Sequence, residues 1–174
     1  MPSKPKKNPP GTSEKISIPA EEIEPKLRVL RQFRMVMNAV KTHFRQVEKD
    51  AGVGGAQLWA LSLIRATPGI GVNELARGMD IHQSTASNLL KTLTQQELIA
   101  VERADTDRRA AQLYLLPKGQ KVLRQAPAPF TGVLPDALGT LDTATLLRLE
   151  KDLDKLLTAL HADEEAAKTP LADL

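Results

Sequence analysis

The sequence predicts a mainly α-helical fold with one small antiparallel β-hairpin. Three observations carry this expectation. Apolar residues recur every three or four positions over most of the chain from Pro25 to His161. Only two short runs, near Ile99 and near Leu113, alternate apolar with polar residues. Gly and Pro collect between these segments rather than inside them.

The composition agrees with a soluble globular chain: 174 residues, 41% hydrophobic and 26% charged. No apolar run approaches the roughly 18–20 residues of a membrane span, so no membrane partner is expected. The opening MPSKPKKNPP is basic but has no apolar stretch after it, unlike a secretory signal. Cysteine is absent, which excludes disulfides and thiolate metal sites and fits a cytoplasmic protein. With 24 Lys and Arg against 21 Asp and Glu, the net charge is +3. That balance permits a polyanionic partner, and the position of the charges must decide the matter.

Residues 1–20 are rich in Pro, Lys and Ser without apolar periodicity, and are read as a disordered basic arm. A long amphipathic helix is expected from Pro25 to Asp50, with its stripe at Leu30, Phe33, Met37, Val40, Phe44 and Val47; Pro25 suits a first turn and Gly52, Gly54 and Gly55 end it. A second helix, about Ala56 to Ala66, turns Leu58, Leu61 and Ile64 inward and stops before Thr67-Pro68-Gly69. Trp59, on this helix, is read as core, and Met35 and Met37 as packing residues. Two short helices follow, about Val72 to Met79 and Gln83 to Gln96, with Gly71 as an N-cap for the first and a tight turn at 78–82 between them. Strands are expected over Ile99–Arg103 and Ala111–Leu116, joined by a loop over 104–110. A helix from Pro117 to Gln125 is cut off by Pro127 and Pro129. The last helix begins near Asp142, a good N-cap, and repeats leucine at 146, 149, 153, 156 and 160. Beyond His161 the chain is acidic and Ala-rich and is expected to fray.

Helix, helix, tight turn, helix, hairpin is the order of a winged helix-turn-helix, in which the helix after the turn lies in the DNA major groove. Ala86, Leu89, Leu90 and Leu93 fall on one side of that helix, as packing requires. Ser84, Ser87, Asn88 and Lys91 share the other side, which is free of acidic residues until Glu97. Asn88 suits a bidentate contact to adenine, Gln83, Ser84, Thr85 and Ser87 suit bases or phosphates, and Lys91 suits a phosphate. An exposed polar helix face is the plain alternative for these residues. At the hairpin tip, Arg108 and Arg109 have no core to stabilise, whereas DNA phosphates and a narrow minor groove offer them a partner. Asp107 is placed to hold Arg109 by a charge-assisted pair. The tip reads as a wing.

Residues from about Gln57 to Gly119, including NELARGMDIHQSTASNLLKTLTQQELI and DTDRRAAQLYLLPKG, resemble the MarR family of bacterial transcription regulators. The D-x-R of Asp107 and Arg109 together with Gly119 is the more specific part; Leu75-Ala76 alone is weak. The resemblance implies a winged helix-turn-helix reader head on a helical dimerisation body. It divides the chain into an arm (1–20), an N-terminal dimerisation helix (21–55), a DNA-binding segment (56–119), C-terminal dimerisation helices (120–161) and a frayed tail (162–174). It implies a homodimer joined through Leu30, Phe33, Met37, Leu149, Leu153, Leu156 and Leu160, bound to a pseudo-palindromic operator in double-stranded DNA. Repression is the family's commoner behaviour, with release by a small aromatic or anionic ligand from a cleft between body and head. Several positions depart from the pattern: Asp80 where the turn usually has Gly, His82 where a Ser or Asp cap is common, Asn88 for a frequent Arg, Glu97 for Gly, and Leu116 for Thr.

An enzyme is not expected. His43, His82 and His161 lie on separate helices without metal-ligand spacing, and Gly52, Gly54 and Gly55 lack the strand before and the Lys-Ser/Thr after that a phosphate loop needs. No cofactor or metal is implied. The competing reading is a winged-helix protein-interaction module without DNA binding. Such a module has no need for a cationic, acid-free reader face.

Overall fold

The computed structural model describes residues 24–103, 111–163 and 167–173. The chain divides into two compact units, one ending at Arg34 and one beginning at Met35. Helix α1 (Pro25–Ala51) runs through that division. In the first unit it exposes Leu27, Val29, Leu30 and Phe33.

In the second unit α1 buries Val40 and Val47 and exposes Met35 and Met37, at 63% and 41%. The expectation that these methionines pack inside is therefore corrected. A spacing of three and four residues defines a helix face but not how far along it the cover extends: Val40 and Val47 of the stripe are buried and Met37 is not, while Met35 lies off the stripe. Helix α2 (Gly55–Ala66) buries Leu58, Leu61 and Ile64, as its periodicity predicts. Its start is closed by Gln57, whose Oε1 accepts a hydrogen bond from the Gly54 amide at 3.0 Å. Gly55 is required here, since a Cβ would overlap the Phe44 ring. Trp59 is half-buried and packs against the core.

The expected hairpin becomes a three-stranded antiparallel sheet in the order β1-β3-β2. Strand β1 (Ile70–Gly71) was not anticipated: two residues are too few to show a two-residue period, and they become a strand only because β3 offers them a partner. Leu113 of β3 (Ala111–Leu115) lies opposite Ile70 on one side and Val101 of β2 (Ile99–Arg103) on the other. Leu113 and Ile99 are buried, whereas Val101 is 45% exposed.

Helices α3 (Val72–Gly78) and α4 (Gln83–Gln95) pack on each other beneath α2 and close one core with Leu75, Met79, Ala86, Leu90, Leu93 and Leu98. Glu74 Oε2 accepts from the Gly71 amide at 3.0 Å, which supports the expected start of α3. Helix α5 (Pro117–Gln125) crosses the boundary expected at residue 119, because Val122 and Leu123 join the same core. The core likewise takes in Val47 and Val53 from the segment read as dimerisation helix. Gly119 lets α5 approach the hairpin: a Cβ there would overlap the Leu98 carbonyl oxygen.

A short helix, α6 (Val133–Gly139), follows the prolines and buries nothing. Helix α7 (Thr143–Leu160) also has no buried residue. Asp142 caps it as expected, accepting from the Thr145 amide at 2.8 Å through Oδ1 and from the Thr145 hydroxyl at 3.0 Å through Oδ2. The frayed tail is corrected in its last described part. Pro170 is buried, and the 3₁₀ turn Leu171–Asp173 packs on α2. Among the described residues no helix is long and apolar enough to cross a membrane.

Candidate nucleic-acid interface

The turn between α3 and α4 is built by apolar anchoring and one left-handed residue. Met79 and Ile81 are buried, the Ile81 amide donates to the Ala76 carbonyl at 3.0 Å, and Asp80 between them has φ 52°. Asp is among the residues that tolerate this conformation best, so the departure from Gly leaves the turn intact. Glu97, the second departure from Gly, also sits left-handed at φ 58°, at the step from α4 into β2. Its carboxylate lies 4.0 Å from Lys118 Nζ, and both side chains are well exposed, so the pair adds little.

His82 is the N-cap residue of α4 but supplies no side-chain cap, in keeping with its departure from Ser or Asp. Its carbonyl accepts from the Ala86 amide at 3.0 Å, so the helix is held by backbone bonds and by its buried face. Ala86, Leu90 and Leu93 are buried and Leu89 is half-buried. Gln83, Ser84, Ser87, Asn88 and Lys91 are all exposed, and Thr85 is half-buried. The sorting into two faces follows the expected 3.6-residue period.

The exposed face stands as a ridge between two concavities. On one side Thr85, Asn88 and Thr92 face Gly54 and Gln57 at the start of α2. On the other, Ser87, Lys91 and Gln95 border a groove floored by Val72, Val101 and Leu113. Val101 is exposed because it lines this groove. A helix of 13 residues is about 20 Å long and narrow enough for a major groove about 12 Å wide. The Ser87 hydroxyl donates to the Gln83 carbonyl at 2.8 Å, and that of Thr92 to the Asn88 carbonyl at 3.2 Å. Their oxygens remain able to accept from outside, while the Asn88 amide offers both a donor and an acceptor.

Strands β2 and β3 pair as far as Arg103 and Ala111. The wing residues Asp107, Arg108 and Arg109 lie in the segment 104–110, outside the described residues, as does the arm 1–20. The stripe expected on α7 is present as a face: Leu149, Leu156 and Leu160 are exposed and Leu153 is half-buried. Leu147 and Leu157, which the sequence pattern did not single out, are exposed beside them.

The second unit also holds an apolar cavity that the sequence did not reveal. Val40, Phe44, Trp59, Gly132 and Pro135 line it, with Leu171 and Ala172 from the C-terminal turn. Its volume is about 40 Å³, room for roughly one water and far below a drug-sized ligand site. Trp59 thus serves both the core and the cavity wall. Among the described residues no group of three or more His, Asp or Glu could hold a metal ion.

Comparison with known proteins places this architecture. The family model described as MarR family matches residues 51–110, the stretch from the end of α1 to the hairpin. A curated relative, the uncharacterised HTH-type transcriptional regulator YsmB of Bacillus subtilis (strain 168), is 21% identical over 126 residues, covering 72% of this chain and 86% of its own length. Among solved structures, a MepR-like protein complexed with pseudoligands superposes with a TM-score of 0.54 at 20% identity, over 78% of this chain and 94% of that one. The MarR family transcription regulator SP03579 superposes with a TM-score of 0.51 at 17% identity, over 78% of this chain and 89% of that one. At these identities the structural likeness establishes the fold.

Proposed function

We infer from the match of residues 51–110 to the MarR family model that this chain is a sequence-specific DNA-binding transcriptional regulator. The observation that carries the reading is the acid-free polar ridge of α4, raised between two grooves by the Asp80 turn. A ridge of that size and chemistry enters a major groove without repelling the phosphates on either side. Asn88 reads a base, with adenine as its best partner. Gln83, Ser84, Thr85 and Ser87 contact bases or nearby phosphates, and Lys91 holds a phosphate. Asp107, Arg108 and Arg109 serve as the wing on the strength of the sequence alone.

The working unit is a cytoplasmic homodimer. Apolar faces at Leu30 and Phe33, at Met37, and at Leu149, Leu156 and Leu160 beside the half-buried Leu153 stand open in the single chain, and a second copy covers them. Two reader heads then meet a pseudo-palindromic operator, and occupancy represses the gene beneath it until a small aromatic or anionic ligand weakens binding.

The test is a binding titration on duplexes enriched from a random pool, with scrambled DNA as reference, at several salt concentrations. Asn88→Ala should cost about 1–3 kcal/mol on the enriched site and relax discrimination at one position per half-site. Arg109→Ala should weaken binding on both DNAs alike and flatten the salt dependence by about one unit of slope per half-site. Asp107→Ala should mimic it more weakly. If both Asn88→Ala and Arg109→Ala bind as the parent does, this surface is not the reader, and a protein-interaction module becomes the better account.

A further inference from the structure

The C-terminal stretch 167–173 crosses the reader head of its own chain. Lys168 borders the same hollow as Arg77, His82 and Gln83, at the turn that opens α4. Pro170 is buried, and it shares the concavity formed by Thr85, Asn88 and Thr92 of α4 with Gln57 of α2. Ala172 then packs against the core beside Gly55 and Phe44, and with Leu171 closes the cavity next to Trp59. The stretch therefore runs along the Asn88 flank of α4 and is pinned at its far end by a small apolar contact.

We propose that residues 168–173 form an autoinhibitory strap, seated on the flank of the recognition helix and released when DNA binds. The proposal rests on the DNA-binding reading above. A helix can settle into a major groove only if the sugar-phosphate walls pass along both of its flanks. Pro170 lines the hollow along one of these flanks, together with the residue assigned to base reading. A duplex seated on Asn88 and the strap compete for one surface. The strap is well suited to yield. Among its described side chains only Pro170 is buried and Ala172 half-buried, while Leu171 remains 40% exposed, so few apolar contacts are lost on release. Its seat is specific nonetheless, because Gly55 leaves room for Ala172 that a side chain would fill.

Two full-length-fold variants test this: deletion of residues 169–174, and Pro170→Ser combined with Ala172→Gln. The second changes no charge, so it separates release of the strap from the removal of Asp173. Affinity for the enriched duplex is measured beside the emission of Trp59, the one tryptophan of the chain. Both variants should bind about five-fold tighter or more, the ordinary low end of coupling between sites. Trp59 emission should already be red-shifted in both variants without DNA, and should shift the same way in the parent when the duplex is added. Equal or weaker DNA binding by both variants, when the parent does bind, overturns the strap alone. Failure of parent and variants alike to bind any enriched duplex overturns the DNA reading, and the strap with it.

Discussion

Leu61, Leu75 and Leu93 of the reader head are fully enclosed, whereas Leu149, Leu156 and Leu160 of α7 stand 38–65% exposed. Both sets arise from the same helical periodicity, yet they have opposite fates. In the head, α2 to α5 and the sheet pack on one another, and their buried leucines belong to one core cluster. Among the described residues helix α7 buries nothing, and its side-chain bonds are local: the Asp142 cap, the Lys155 Nζ contact to Asp152 at 2.7 Å, the Arg148 bond to the Thr145 hydroxyl at 2.9 Å and the Thr158 hydroxyl to the Asp154 carbonyl at 2.8 Å. Bonds of this kind are worth little on an exposed helix, which normally draws its stability from tertiary packing. The head closes a core within one chain, whereas α7 buries no residue in it; on the dimer reading proposed above, a second copy covers that face.

The largest expected effect comes from attacking that difference directly. Leu153→Asp with Leu156→Asp should abolish dimerisation and DNA binding together, because two charges cannot be buried in an apolar seam. Sedimentation would report the change in mass, and the head core should keep its cooperative unfolding. If the parent itself sediments only as a 19.0 kDa species at micromolar concentration, α7 is not a dimer seam and the contrast fails. Next in size is Leu61→Ala, which removes a side chain with no exposure and should cost about 2–5 kcal/mol in urea unfolding. A cost near zero would mean that the head core is loose and no different in kind from α7.

The smallest effect belongs to Asp142. The Thr145 backbone amide, then the Thr145 hydroxyl, holds its carboxyl below the ordinary value of 3.8. A carboxyl depressed in the folded state stabilises above its unfolded pKa, and the benefit disappears as pH falls through the folded value. Asp142→Ala should therefore lower the helicity of α7 slightly at neutral pH and match the parent in strong acid, by circular dichroism. A difference that persists in strong acid would show that the cap does not act through its charge.

The sequence by itself determined the elements whose signal is local. The period of Ala86, Leu90 and Leu93 marked both the buried face of α4 and, opposite it, the exposed row of Ser84, Ser87, Asn88 and Lys91. Asp142 marked the start of α7, and the alternation around Leu113 marked the hairpin. Gly119 stood out by resemblance, and the Leu98 carbonyl oxygen pressed against it gives the physical cause. Tertiary structure alone decided what depends on distant partners. Ile70–Gly71 became a strand because Leu113 and Gln112 were there to pair with them. Met37 stayed outside although it shares the apolar stripe of Val40 and Phe44, because burial along that stripe depends on which other elements reach it. The short helix α6 and the placement of Pro170 and Ala172 had no periodic signal at all. A residue's own neighbours in sequence set its backbone preference and its face, but burial is a property of what arrives from elsewhere in the chain.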